Sequence, residues 1–309
     1  MRLFPGRRRL PIPSTPAFHL LLLAVTAVTT TIVPFGSSWG LLSDRTLSES
    51  LLDPRVWRIG ASFSIPLLAI LGTHELGHMI ACRRYGLPAT YPYFIPAPLG
   101  IGTFGAIIKI RAPITSRKTL FDVGAAGPLA GFAVAVPVAV WGIAISRVTT
   151  AVPSGDYLDF GEPLLFRLVE RLVHPGMGPG SELALSPLGF AGWFGLFVTA
   201  LNLLPLAQLD GGHVLYAVAG GTQRTIGFAL FLVLVGLAFF WPGWIVWVIV
   251  VLLMGIAHPP TADAAERLDG KRRLLAVACL LVFVVSFTPV PVRFVSPSPH
   301  PKPVKTYRL

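Results

Sequence analysis

Apolar runs at about 17–36, 57–82, 124–146, 185–208, 225–241, 243–257 and 272–290 recur along the chain, almost free of charge. A helix needs about 20 such residues to cross the hydrocarbon core of a bilayer. In that medium each backbone N–H and C=O must find its partner within the protein, which leaves helices or closed barrels. The run lengths suit helices. The chain therefore reads as an all-α, multi-pass membrane protein with about six to eight transmembrane helices. Composition agrees: 53% of the 309 residues are hydrophobic and 13% are charged, against roughly 25% charged in a soluble domain. Disorder needs low hydrophobicity and is excluded. Two cysteines, Cys82 and Cys279, cannot make a disulfide scaffold.

Lys+Arg 25 against Asp+Glu 14 gives a net charge of +11. In a soluble protein that excess would suggest nucleic acid. Here the basic residues flank apolar runs, so lipid headgroups and topology explain them, and no nucleic-acid partner is expected. Arg2, Arg7, Arg8 and Arg9 place the N-terminus in the cytoplasm. The loop with Asp44, Arg45, Glu49, Asp53 and Arg55 is mixed and falls outside. Arg83, Arg84, Lys109, Arg111, Arg117 and Lys118 mark the cytoplasmic side again. The acid-rich stretch 147–184, with Asp156, Asp159, Glu162, Glu170 and Glu182, returns outside as a polar loop. The expected organisation is a basic segment 1–16, one membrane domain 17–290 and a basic, proline-rich, disordered tail 291–309. The apolar run after the first arginines is too long for a cleaved signal peptide and reads as a retained anchor. Residues 225–257 fit either one kinked helix or two short helices around Trp241-Pro242-Gly243-Trp244.

Inside the second run lies His74-Glu75-Leu76-Gly77-His78. Positions i and i+4 of a helix share a face, so both imidazoles can reach one metal ion, and Glu75 can take a proton from an attacking water. Ionisable groups inside an apolar helix are costly and point to function. With five residues from His78 to Arg83, the pair lies about 7–14 Å inside the cytoplasmic interface. A catalytic zinc wants a third protein ligand and an open position. Asp210 ends the uncharged run from Leu183. In this topology the second and fourth runs point the same way, which brings Asp210 to the histidines' membrane face.

His74–His78 followed by Asn202-Leu-Leu-Pro205-Leu-Ala-Gln-Leu-Asp210-Gly211 resembles the site-2 protease family of intramembrane zinc metalloproteases. Gly102-Thr-Phe104-Gly105-Ala106 and Gly127-Pro128-Leu-Ala-Gly131 add to the likeness, which covers a catalytic core of about 55–215. The His258-Pro-Pro260 ending and the Lys271-Arg-Arg run resemble the bacterial and chloroplast branch, here placed in a bacterial cell membrane. The resemblance implies that His74, His78 and Asp210 bind one Zn2+, that Glu75 is the catalytic base, and that Asn202 supports the tetrahedral intermediate. A packing role for Asn202 is the plainer alternative. Residues 147–184 are too few for the PDZ domain that many members carry.

The expected activity is endoproteolysis of transmembrane substrates near the cytoplasmic face. A substrate helix hides its carbonyls in its own hydrogen bonds, so it must unwind locally. Residues 98–111, where Gly102 and Gly105 flank Phe104, suggest a re-entrant β-hairpin that pairs with the unwound strand; an ordinary interfacial loop is the alternative. His213 is read as an interfacial or supporting residue, Cys82 as core, and residues 239–247 as an aromatic belt. His174, His258 and His300 receive no role. A metal transporter or a non-catalytic scaffold relative are the rival functions.

Overall fold

Asp53, Ser116, Ser186 and Asp269 each accept a backbone N–H one turn or less into a helix, and these caps mark where four of the helices begin. The computed structural model describes residues 14–32, 52–150, 157–178, 180–263 and 266–296. The helices are α1 (Pro16–Ile32), α2 (Pro54–Arg84), α3 (Arg117–Ala144), α4 (Leu164–Val173), α5 (Pro187–Asn202), α6 (Asp210–Ala219), α7 (Gln223–Ala238), α8 (Trp244–Met254) and α9 (Gly270–Ser286). A 3-10 turn over Gly220–Thr222 joins α6 to α7. Three stretches are long and apolar enough to cross a membrane: Pro54–Arg84, Arg117–Ala144 and Asp210–Ala238. Helices α1, α5 and α8 are apolar but shorter. The fold is a helical, membrane-type one.

Small residues let the central helices touch. Along α3 and α5, Gly142 meets Gly189, Ala139 meets Gly192 and Ala135 meets Gly195, so the two helices run antiparallel. Along α2 and α3, Gly77 meets Ala126 and His74 meets Gly131, which makes that pair antiparallel as well. Helices α2 and α5 therefore share a direction, as the charge pattern predicts. Such close backbone approach replaces the hydrophobic drive that lipid does not supply.

Three two-stranded sheets complete the described residues. Strands β1 (Tyr93–Pro96) and β2 (Thr103–Ile107) form an antiparallel hairpin, with Tyr93 opposite Ile107 and a bulge before Pro96. It starts five residues earlier than the glycine pattern suggests, because Tyr93 and Phe94 are buried. Strands β3 (Arg147–Thr149) and β5 (Glu182–Ala184) pair, as do β4 (Tyr157–Phe160) and β6 (Val292–Val295). Two expectations change. The polar stretch 147–184 is not simply loop, since it holds α4 and three strands. The tail does not begin disordered at 291, since β6 finds a partner more than a hundred residues earlier that no local pattern announces. Residues 225–257 form two helices separated by a turn at Trp241–Gly243. Arg2, Arg7, Arg8, Arg9, Asp44, Arg45, Glu49, Asp156, His300 and the tail beyond Ser296 lie outside the described residues.

Candidate active site

Helix α3 presents a glycine ladder to the two histidines. A Cβ at Gly131 would stand 3.1 Å from the His74 Cβ, and a Cβ at Gly127 would fall on the His78 ring. The imidazoles fit only because those side chains are missing. His78 Nδ1 lies 2.7 Å from the Val123 carbonyl. A carbonyl can only accept, so Nδ1 carries the proton and Nε2 of the neutral ring is left with a free lone pair.

That lone pair meets two others. His78 Nε2 is 3.1 Å from His74 Nε2, and Asp210 Oδ2 is 3.2 Å and 3.3 Å from the His74 and His78 nitrogens. Both histidines are buried, and Asp210 is nearly so. Three donors about 2.0–2.1 Å from a tetrahedral zinc stand about 3.3 Å apart, so these separations fit the ion. The donor set, two imidazole nitrogens and one carboxylate oxygen, is also zinc's own chemistry and leaves a fourth position open. Among the described residues this is the one His/Cys/Asp/Glu group gathered closely enough to hold a metal.

The third donor is positioned by a folded-back loop. Helix α5 ends at Asn202, and α6 starts at Asp210. Between them Leu206 N–H donates to Leu204 O, Leu209 N–H donates to Leu206 O, and Ala207 takes a left-handed φ of 54°. Gly211 and Gly212 sit against the Leu203 and Ala207 carbonyls, where a Cβ would collide with backbone. This places Asp210 at the first residue of α6, where the helix dipole favours a carboxylate. It also places the Asn202 amide 3.4 Å from His74 Nε2, at the rim of the donor cluster.

Glu75 is buried beside the cluster, and the Ile108 backbone amide donates to its carboxylate. Ile108 directly follows β2, so the hairpin reaches the site. Gly102, Phe104 and Gly105 lie on that hairpin but differ in setting. Gly102 has φ 86° and touches α1: a Cβ there would lie 2.5 Å from the Thr29 carbonyl oxygen, and Thr29 Oγ donates to Gly102 O at 2.7 Å. Phe104 is 75% exposed. Gly105 has φ 97° and open space where a Cβ would be.

Other groups have no sequence signal of their own. Val123 and Ile108 act through backbone atoms, which a motif does not record. His213 packs on Gly124 and lies 2.7 Å from His258 in the segment after α8, so His258 gains a partner that its position in sequence hides. Gly124, Gly127 and Gly131 form a small-residue repeat of the kind that seats helices together, a signal that could have located this contact face.

A helical membrane-type fold with a buried HExxH pair and a carboxylate as third ligand has the features of a membrane metallopeptidase. Residues 62–242 match the model of peptidase family M50, and the chain belongs to that family, the site-2 proteases. It is 30% identical over 243 residues to the probable zinc metalloprotease EGY2, chloroplastic, of Arabidopsis thaliana, covering 73% of this chain and 41% of that protein. It is 37% identical over 171 residues to the probable zinc metalloprotease EGY1, chloroplastic, of Oryza sativa subsp. japonica, covering 53% of this chain and 29% of that one. The chain thus spans less than half the length of the curated relatives it matches. No solved structure matches it.

Proposed function

We propose that this protein is an intramembrane zinc endopeptidase that cuts transmembrane proteins near the cytoplasmic face. The observation that carries the reading is the convergence of His74, His78 and Asp210, from two different helices, beside a buried Glu75. The family match and the relatives' names support zinc as the ion. A bound zinc would acidify a water and polarise the scissile carbonyl. Glu75 would accept the water's proton and return it to the leaving amine. Val123 O holds the His78 tautomer, and Asn202, at the rim, would donate its amide to the developing oxyanion.

The substrate arrives as an unwound strand. In this reading β2 pairs with it through the edge that faces away from β1, with Gly102 seating the hairpin on α1 while Phe104 and Gly105 face the incoming chain. The catalytic core is 55–215 within a single membrane domain 17–290. We place about six to eight helices in the bilayer, the shorter ones completing the three long spans. We place it in a bacterial cell membrane with the N-terminal side cytoplasmic; Arg83, Arg84, Lys109, Arg111, Arg117 and Lys118, on the active-site side, favour that orientation.

The test uses wild type and Glu75→Gln with a tagged single-span reporter whose helix carries a Gly-Pro break. The variant should keep its bound zinc and lose cleavage by about 10²–10⁴-fold. Equal cleavage by both proteins overturns the mechanism.

A further inference from the structure

Helix α4 carries an apolar arc wider than its contacts require. At 3.6 residues per turn its apolar side chains span about 200° of the helix. Only part of that arc is covered: Phe166 and Val169 are 3% and 7% exposed, while Leu164, Leu168 and Leu172 are 55%, 55% and 73% exposed. The three leucines stand at i, i+4 and i+8 and form one edge. Arg167 and Arg171 border that edge on its open side; Arg167 also pairs with Glu162 at 3.2 Å.

The depth of this helix follows from its anchors. Phe166 and Val169 pack in one cluster with Ala139, Ile143 and Trp193. The His174 ring, just past the helix end, donates from Nε2 to Ile143 O at 2.9 Å. Ile143 is the penultimate residue of α3, one of the three stretches long enough to span a bilayer. Helix α4 is therefore tied to the level at which that span ends. Trp141 and Ile145 are exposed at the same end of α3, and tryptophan favours that level of a membrane.

We propose that α4 lies flat in the membrane interface on the side opposite the metal-site end of α3, with Leu164, Leu168 and Leu172 among the acyl chains. Arg167 and Arg171 then sit at the lipid phosphates. The occupant of the leucine edge is the bilayer surface. The inference rests on α3 spanning the membrane and does not depend on proteolysis.

The test places the full chain in vesicles of phosphatidylcholine and phosphatidylglycerol, with an environment-sensitive fluorophore on Leu168→Cys, Arg167→Cys or Val140→Cys. The native cysteines are both buried. Quenchers carried on the lipid should reach the Leu168 label several-fold better than aqueous iodide does, and iodide should win at Arg167. Iodide access at Leu168 with lipid access at Val140 overturns the placement of α4 alone. Iodide access at both overturns the span together with the placement. A Leu168 label shielded from both quenchers until the protein is diluted among excess vesicles means that a second copy covers the edge, which also overturns the proposal.

Discussion

His78 shows how much of the candidate site depends on atoms that are absent. Its ring occupies the place of a Gly127 side chain, and its tautomer is set by one backbone carbonyl. Gly127→Ala should therefore displace the imidazole and lower zinc affinity by about 10–100-fold, the usual effect of disturbing a ligand's support. The added methyl should also destabilise the packed helices by about 1–3 kcal/mol. Gly236→Ala, where a Cβ meets open space, should leave affinity unchanged. Competition with a chromogenic chelator measures both. Equal affinities in the two variants would show that the close approach at Gly127 does not hold the ligand.

At the scale of elements, α6 is gripped at both ends. Its start is pressed on the 203–209 loop through Gly211 and Gly212. At its other end Arg117 donates from Nε and Nη2 to Ala217 O at 3.1 Å and 2.7 Å, and from Nη2 to Val218 O at 3.2 Å. A cation on the last carbonyls satisfies acceptors that the helix itself cannot, and it complements the dipole. Arg117→Ala should cost about 1–2 kcal/mol, read as a lower Tm in detergent. Because Asp210 rides on the same short rigid helix, zinc affinity should fall too, and Arg117→Lys should recover part of both. A lower Tm with unchanged affinity would show that the grip stops short of Asp210.

For the whole molecule, the segment leading into α9 is stitched to the start of α3 across 150 residues. Glu266 accepts from Ser116 Oγ at 2.6 Å and from Lys118 N–H at 3.1 Å, and it pairs with the Lys118 ammonium at 3.3 Å. Arg272 clasps Asp122 in two bonds of 2.9 Å and 2.7 Å. The Ser116 hydroxyl, helped by the Lys118 amide and ammonium, holds the Glu266 carboxyl below its ordinary range. A depressed carboxyl contributes stability that is present at neutral pH and is lost as pH falls through its folded value. Wild type should therefore lose its Tm advantage over Glu266→Gln on acidification below about 4.3, the ordinary glutamate value. The position is near the surface, so the difference should stay at or under about 1 kcal/mol. A gap that does not change with pH would rule out the carboxylate as the stitch.

The apolar runs, the His74–His78 pair and the charge pattern that makes α2 and α5 run the same way were legible in the sequence, because hydrocarbon imposes length, internal hydrogen bonding and flanking charge on any chain that enters it. Asp210 was legible for the same reason, as a charge ending an uncharged run. Local pattern did not announce β6, α4 within its polar stretch, or the His213–His258 contact, since each depends on a partner far along the chain or on one face of a short element. What only the tertiary structure decided is the convergence itself. Three donor atoms come within 3.1–3.3 Å of one another because glycines on α3 let its backbone press against the imidazoles and a folded-back loop turns Asp210 inward. Residue types can name possible ligands, but the distance between them is set by packing.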